Sequence, residues 1–142
     1  MYKQVYRALA VMSLCGVLAA PIVQAQSDTL VVNIPFEFNV GKAMLPSGEY
    51  GIKIVSPTTL MIQSKDGHQA AFAVTIGVSS PKGEDTGKLV FNRYGTQYFL
   101  SKLWSPENPT GRELLKSRTE IEVAKNMSKP QGEVVAVKAK AR

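Results

Sequence analysis

Between Thr29 and Phe38 the chain reads TLVVNIPFEF, with Leu30, Val32, Ile34, Phe36 and Phe38 on alternate positions and Asn33, Pro35 and Glu37 between them. Successive side chains of a strand point to opposite faces, so this spacing predicts a half-buried strand. Pro35 cannot donate a ladder hydrogen bond, which places an edge or a bulge there. The same two-residue period returns in short runs. Tyr50, Ile52 and Ile54 follow the turn residues Pro46-Ser47-Gly48, and the run ends at Ser56-Pro57. Leu60 and Ile62 mark a third strand. Asp66-Gly67 predicts a two-residue hairpin turn, since both residues tolerate positive φ. Ala70, Phe72, Val74, Ile76 and Val78 then alternate with Ala71, Ala73, Thr75 and Gly77. That opposite face is small rather than charged, so this strand is expected at the centre of the sheet, covered on both sides. Ser79 to Gly87 reads as a loop, and Leu89 to Tyr94 with Gln97 to Trp104 as a hairpin around Gly95. Many short strands with turn residues between them predict an all-β fold: a small antiparallel sandwich or partly open barrel of six to seven strands.

After Ser105 to Gly111 the period changes. Leu114, Leu115, Ile121 and Ala124 give a narrow helical stripe, so residues 112–125 are expected to form one C-terminal helix resting on the β body. Lys116–Glu120 and Arg118–Glu122 have the i,i+4 spacing of weak helical ion pairs. Residues 126–142 lack aromatics and end in alternating Lys and Ala, which reads as a basic, disordered tail. A short strand over Val134, Val135 and Val137 is the other reading of that segment.

The first residues read as targeting. Lys3 and Arg7 precede the 13-residue apolar run Ala8–Ala20, and Val23-Gln24-Ala25 supplies small residues where a signal peptidase reads. Residues 1–25 are expected to be a signal peptide cut before Gln26. A run of this length falls short of the ~20 residues that span a bilayer. Leu14, before Cys15, is poorly suited to lipoprotein processing. Removing 25 of 142 residues leaves 117 and no cysteine, so an exported, periplasmic or extracellular domain must hold together without disulfides. Residues 26–111 then form the β domain.

The net charge of +6 is uneven. From Gln26 to Leu115 eight basic residues face eight acidic ones, whereas Lys116 to Arg142 carries seven against three. A neutral body and export both argue against nucleic acid, and the basic end is expected at most to touch anionic surfaces.

Catalytic chemistry finds few residues. The single histidine, His68, follows the Asp66-Gly67 turn, a wet position unsuited to a triad base. Glu84-Asp85 is the only adjacent acidic pair, and nothing brings Glu37, Glu49 or Glu107 together as a carboxylate pair. No phosphate-binding glycine loop and no metal-ligand cluster occurs, so no cofactor is expected and the chain reads as non-enzymatic. The candidate ligand or partner surface is the last hairpin, with Arg93, Tyr94, Tyr98, Lys102 and Trp104. In strict register Tyr98, Leu100, Lys102 and Trp104 share one face and Phe99 and Leu103 the other. Such a face can stack on a sugar or aromatic ring, but the heavier reading is core, with Trp104 as its anchor and the lysine reaching past it.

Several segments together resemble a family of small exported proteins of acidobacteria: Asn33-Ile34-Pro35-Phe36-Glu37-Phe38 with Val40-Gly41, Leu45-Pro46-Ser47-Gly48-Glu49-Tyr50, Arg93-Tyr94-Gly95 and Gly111-Arg112-Glu113-Leu114. The resemblance implies export, a β fold and a helix opened by the last of these segments, and assigns no activity or site. The expected function is therefore a non-catalytic envelope or extracellular protein that binds another macromolecule, a protein or glycan of the cell envelope, or helps build a surface structure. The alternative is a carrier holding an apolar or sugar-like molecule inside the barrel; a carboxylate-based hydrolase is a lesser one. An internal cavity lined by Phe36, Phe72 or Trp104 would favour the carrier, and a filled core with an exposed edge strand the assembly or partner role.

Overall fold

The computed structural model describes residues 29–79, 87–106, 110–127 and 133–141. The signal-peptide reading, Cys15, most of the 79–87 loop with Glu84-Asp85, and Glu107 lie outside them. The described residues form ten strands and one helix: β1 Thr29–Ile34, β2 Phe38–Val40, β3 Ala43–Leu45, β4 Gly48–Ser56, β5 Thr59–Ser64, β6 Ala70–Ser79, β7 Gly87–Tyr94, β8 Gln97–Trp104, β9 Thr110–Leu114, α1 Arg118–Asn126 and β10 Glu133–Ala141.

The alternation of TLVVNI becomes β1, with Leu30, Val32 and Ile34 buried. Pro35 splits the expected ten-residue strand, and Phe38 resumes it as β2. All the strands belong to one sheet in the order β3-β2-β8-β7-β10-β1-β4-β5-β6-β9. Its pairings are antiparallel except for a single parallel contact, Asn39 of β2 opposite Phe99 of β8. The sheet curls until β9 meets β8 over Lys102↔Glu113 and Leu103↔Arg112, giving a partly open barrel with a short seam. The β2–β3 hairpin lies beside the other half of β8, where Asn39 Nδ2 donates to the Tyr98 carbonyl at 3.1 Å. Two-residue loops at Gly41-Lys42 and Gly95-Thr96 close the β2–β3 and β7–β8 hairpins, each with its glycine at positive φ, 58° and 63°.

Facing residues fill the interior. Leu30 lies opposite Ile52, Ile52 opposite Ile62, Leu60 opposite Ala73, Phe91 opposite Leu100, and Leu89 between Leu103 and Val137. All except the half-buried Val137 are buried. Phe38 packs edge-on against Tyr50 and Phe91. The Tyr50 ring points inward, as the resumed strand predicts, and its hydroxyl donates to the Pro46 carbonyl. Burial, then the Asp66 charge, raise its pKa above the usual phenol value.

Four expectations change. First, Asp66-Gly67 is not a two-residue turn. Ser64 and Gln69 close a longer loop by a 2.8 Å backbone bond, with Gly67 at positive φ. The Asp66 carboxylate caps this loop through the Ser64 hydroxyl at 2.5 Å and the His68 amide at 2.9 Å, and these bonds hold its pKa below the usual range. Second, β6 is not central and is covered on one side only: it stands next to the β9 end of the strand order. Ala71, Ala73 and Thr75 are buried, while Phe72, Val74 and Ile76 are 63%, 58% and 50% exposed. Third, Gly111-Arg112-Glu113-Leu114 lies in β9, not in a helix, and α1 begins only after Ser117, whose hydroxyl caps the Glu120 amide. The i,i+4 ion pairs Lys116–Glu120 and Arg118–Glu122 do not form, whereas Lys65 pairs with Glu49 at 3.4 Å. Fourth, the segment expected as a disordered tail contains β10, paired to β7 over seven positions and to β1 over three. The strand reading of Val134, Val135 and Val137 is the one the structure follows.

Candidate functional site

The five residues of the candidate surface do not form one face, because β8 carries a bulge. Val90 pairs with Lys102 but Phe91 pairs with Leu100, so Ser101 is the extra residue. One inserted residue reverses the alternation beyond it. Before the bulge, Leu100 points inward and Tyr98 packs at the edge of the core; after it, Leu103 points inward and Lys102 and Trp104 point outward.

Arg93 and Tyr98 stay together. The Tyr98 ring stacks on Phe36 at 3.9 Å, and the Arg93 guanidinium carbon lies 5.5 Å from its centre. Arg93 Nε also donates to the Gly95 carbonyl at 2.8 Å, which pins the guanidinium at the turn. Tyr94 instead faces outward beneath α1. It is buried, packs edge-on against Phe99, and donates to Glu120 Oε1 at 3.2 Å. Burial first, then the Glu120 charge and hydrogen bond, raise the Tyr94 pKa. Tyr94 is therefore part of a second small core between helix and sheet, not of a ligand surface.

Trp104 is half-buried rather than a core anchor, and it packs on the seam. A Cβ added to Gly111 would fall inside contact distance of Cε3 and Cζ3 of the Trp104 ring, so the indole lies over the bare Cα of the facing strand. Only glycine permits that approach. Around it Lys88, Val90, Asn92, Lys102, Glu113 and Lys116 line an open hollow of about 430 Å³. Arg112, on the inner side of β9, donates to the Pro57 carbonyl in the β4–β5 turn.

A second hollow, which the sequence did not suggest, adjoins β6. Val40–Ala43 form one wall, Ala71–Val74 another, and Leu114, Leu115 and Arg118 its end, around about 420 Å³. Phe72 and Val74 stand exposed at this hollow and Ile76 further along the strand; Leu115 beside them is 57% exposed. The signal was present in the small residues Ala71, Ala73 and Thr75, which fit a crowded interior better than the larger set does.

Among the described residues no group of three His, Cys, Asp or Glu could hold a metal ion, and no helix is long and apolar enough to cross a membrane. His68 is exposed on its loop; Glu37 is exposed, and Glu49 is ion-paired to Lys65. No protein-family model, curated protein or solved structure matches the chain.

Proposed function

We propose that the protein is a non-catalytic exported envelope or extracellular β protein that binds another macromolecule, or joins a surface assembly, through the outer face of β6. The observation that carries this reading is the outward set Phe72, Val74 and Ile76, each at least half exposed on a strand whose inner side is Ala71, Ala73 and Thr75. Large apolar side chains gathered on one outer face mark interaction sites in soluble proteins. The interior, filled by Phe38, Tyr50, Phe91 and the aliphatic residues around them, favours an outer binding face over a carrier cavity. The motif resemblance to small exported acidobacterial proteins supports export.

A photo-crosslinking residue at Phe72, in the protein expressed in its native cells, tests this. A discrete adduct from Phe72, absent when the same group replaces the exposed Gln63, is expected. Absence of an adduct at Phe72 overturns the reading.

A further inference from the structure

Where β9 leaves β6 the outer surface is notched. Their pairing runs from Ser79↔Thr110 to Thr75↔Leu114, and the next amide, that of Leu115, donates to the Val74 carbonyl at 3.3 Å. Beyond it, among the described residues, no strand pairs with that edge of β6. The β2–β3 turn abuts the edge instead, close enough that a Cβ on Gly41 would stand 3.8 Å from the Phe72 carbonyl oxygen. Between these two contacts lies the hollow of about 420 Å³. Phe72, Val74, Leu114 and Leu115 give it apolar walls, and Lys42 of the turn and Arg118 of α1 are the charged residues that line it. Both cations are exposed, and among the described residues neither makes an ion pair. No acidic side chain lines the hollow. Ser79 and Thr110, which flank the segments holding Glu84, Asp85 and Glu107, pair with each other at the far end of β6, ~16 Å along the strand from Val74. Thr29, which follows Asp28, is three strands from Phe72 across the row Thr29–Lys53–Met61–Phe72.

We propose that this hollow binds a medium-chain alkanoate, its hydrocarbon chain against Phe72, Val74 and Leu115 and its carboxylate between Lys42 and Arg118. A hydrocarbon chain covers these exposed side chains and asks for no hydrogen bonds along its length. The guanidinium of Arg118 can take both oxygens of one carboxylate, and the Lys42 ammonium, on a flexible stem, follows from the turn. The volume sits near the lower end of the ~300–1,000 Å³ of small-ligand sites, which suits one chain and not the two of a phospholipid. Strand addition by a peptide is disfavoured, since the Gly41 turn occupies the edge along which such a strand would extend. The site shares Phe72 and Val74 with the face proposed for a macromolecular partner but needs no partner, so the isolated protein tests it independently.

Amide spectra of the intact, isotope-labelled chain locate the ligand. Decanoate, kept below its micellar range, is expected to give saturable shifts at Gly41, Phe72, Leu115 and Arg118 and none at Trp104. Lengthening octanoate to decanoate should tighten binding about tenfold, the gain from two buried methylenes. Decyltrimethylammonium, with the same chain and the opposite charge, should bind about tenfold more weakly than decanoate. Lys42→Glu and Arg118→Glu should each weaken decanoate binding about fivefold at an unchanged urea midpoint, because both side chains are exposed. Absence of saturable shifts, shifts confined to other surfaces, equal affinity for decyltrimethylammonium, indifference to both charge reversals, or a response to phosphatidylglycerol vesicles alone would each overturn the proposal. A failed titration leaves the crosslinking result at Phe72 to stand or fall by itself.

Discussion

The Tyr94 hydroxyl and the Glu120 carboxylate meet at 3.2 Å across the gap between sheet and helix, and Asn92 Nδ2 donates to the same oxygen at 3.0 Å. Glu120 is 4% exposed, so both donors depend on it rather than on water. It also receives the Ser117 cap on its own amide, which joins the start of α1 to the outer side of β7. Replacing Glu120 with Leu should strand two polar groups and cost about 2 kcal/mol, whereas Glu120→Gln, which keeps an acceptor, should cost less. Urea unfolding of the two variants separates them.

Alkaline pH should weaken the fold through its buried phenols. The pKa values of Tyr50 and Tyr94 are raised in the folded chain, chiefly by burial, with Asp66 and Glu120 adding to the effect. The unfolded chain releases these protons near pH ~10. Above that point the native state holds more protons than the unfolded one, so stability falls as pH rises through the folded-state values. Below pH ~10 the contribution is complete. Unfolding midpoints measured across this range should decline, and Tyr94→Phe should make the decline shallower.

The seam should be sensitive to one methyl group. Gly111→Ala drives a Cβ into the Trp104 ring and should destabilise by about 1–3 kcal/mol, with a red-shifted emission as the indole lifts off. Trp104→Ala should cost less than the ~3–5 kcal/mol of a fully buried aromatic, and Phe91→Ala, wholly buried in the barrel, should cost that full amount. A scan that reversed the order of Trp104 and Phe91 would contradict this packing.

Removing residues 128–142 should abolish cooperative unfolding. That deletion takes out β10 and leaves β7 and β1, which it joins, with open edges. Circular dichroism and a thermal melt of the truncated chain decide it.

On β6 the two faces should respond in opposite ways. Phe72→Ser and Val74→Ser remove exposed side chains and should change stability by no more than about 0.5 kcal/mol. Ala73→Leu adds volume to a filled interior and should cost about 1–3 kcal/mol.

These contrasts also mark what the sequence could disclose. β1, β4, β5 and β7 were legible because alternation reports burial wherever one face is wet. The setting of β6 was not, because a strand apolar on one face and small on the other reads as covered on both sides. Its small face packs on an interior already filled, whereas its large face is open. Phe38, Val40 and Leu45 of the β2–β3 hairpin fill the core, and the hairpin turn at Gly41-Lys42 lies beside Ala71–Val74. The candidate surface failed at Ser101, a bulge with no local signature that turns Lys102 and Trp104 away from Tyr98. Leu114-Leu115 suggested a helical stripe because the pair straddles the end of β9. For β10, the run Glu133–Ala141 is poor in large apolar residues, and its place between two strands is a long-range fact that no local window contains. The Gly111–Trp104 contact is legible only once the two strands are known to face each other.

The position of β10 also sets the order of assembly. β1 is the first described strand to be synthesised and β10 the last, yet the two are neighbours. Until Glu133–Ala141 emerges, the growing chain can pair β1-β4-β5-β6-β9-β8-β7 in one run, but the gap between β7 and β1 stays open. Loop closure across more than a hundred residues must precede the final pairing, which makes folding slow and dependent on a late segment. The last segment synthesised thus closes the gap between the first strand and the seventh, so the sheet is completed only when the chain is nearly whole.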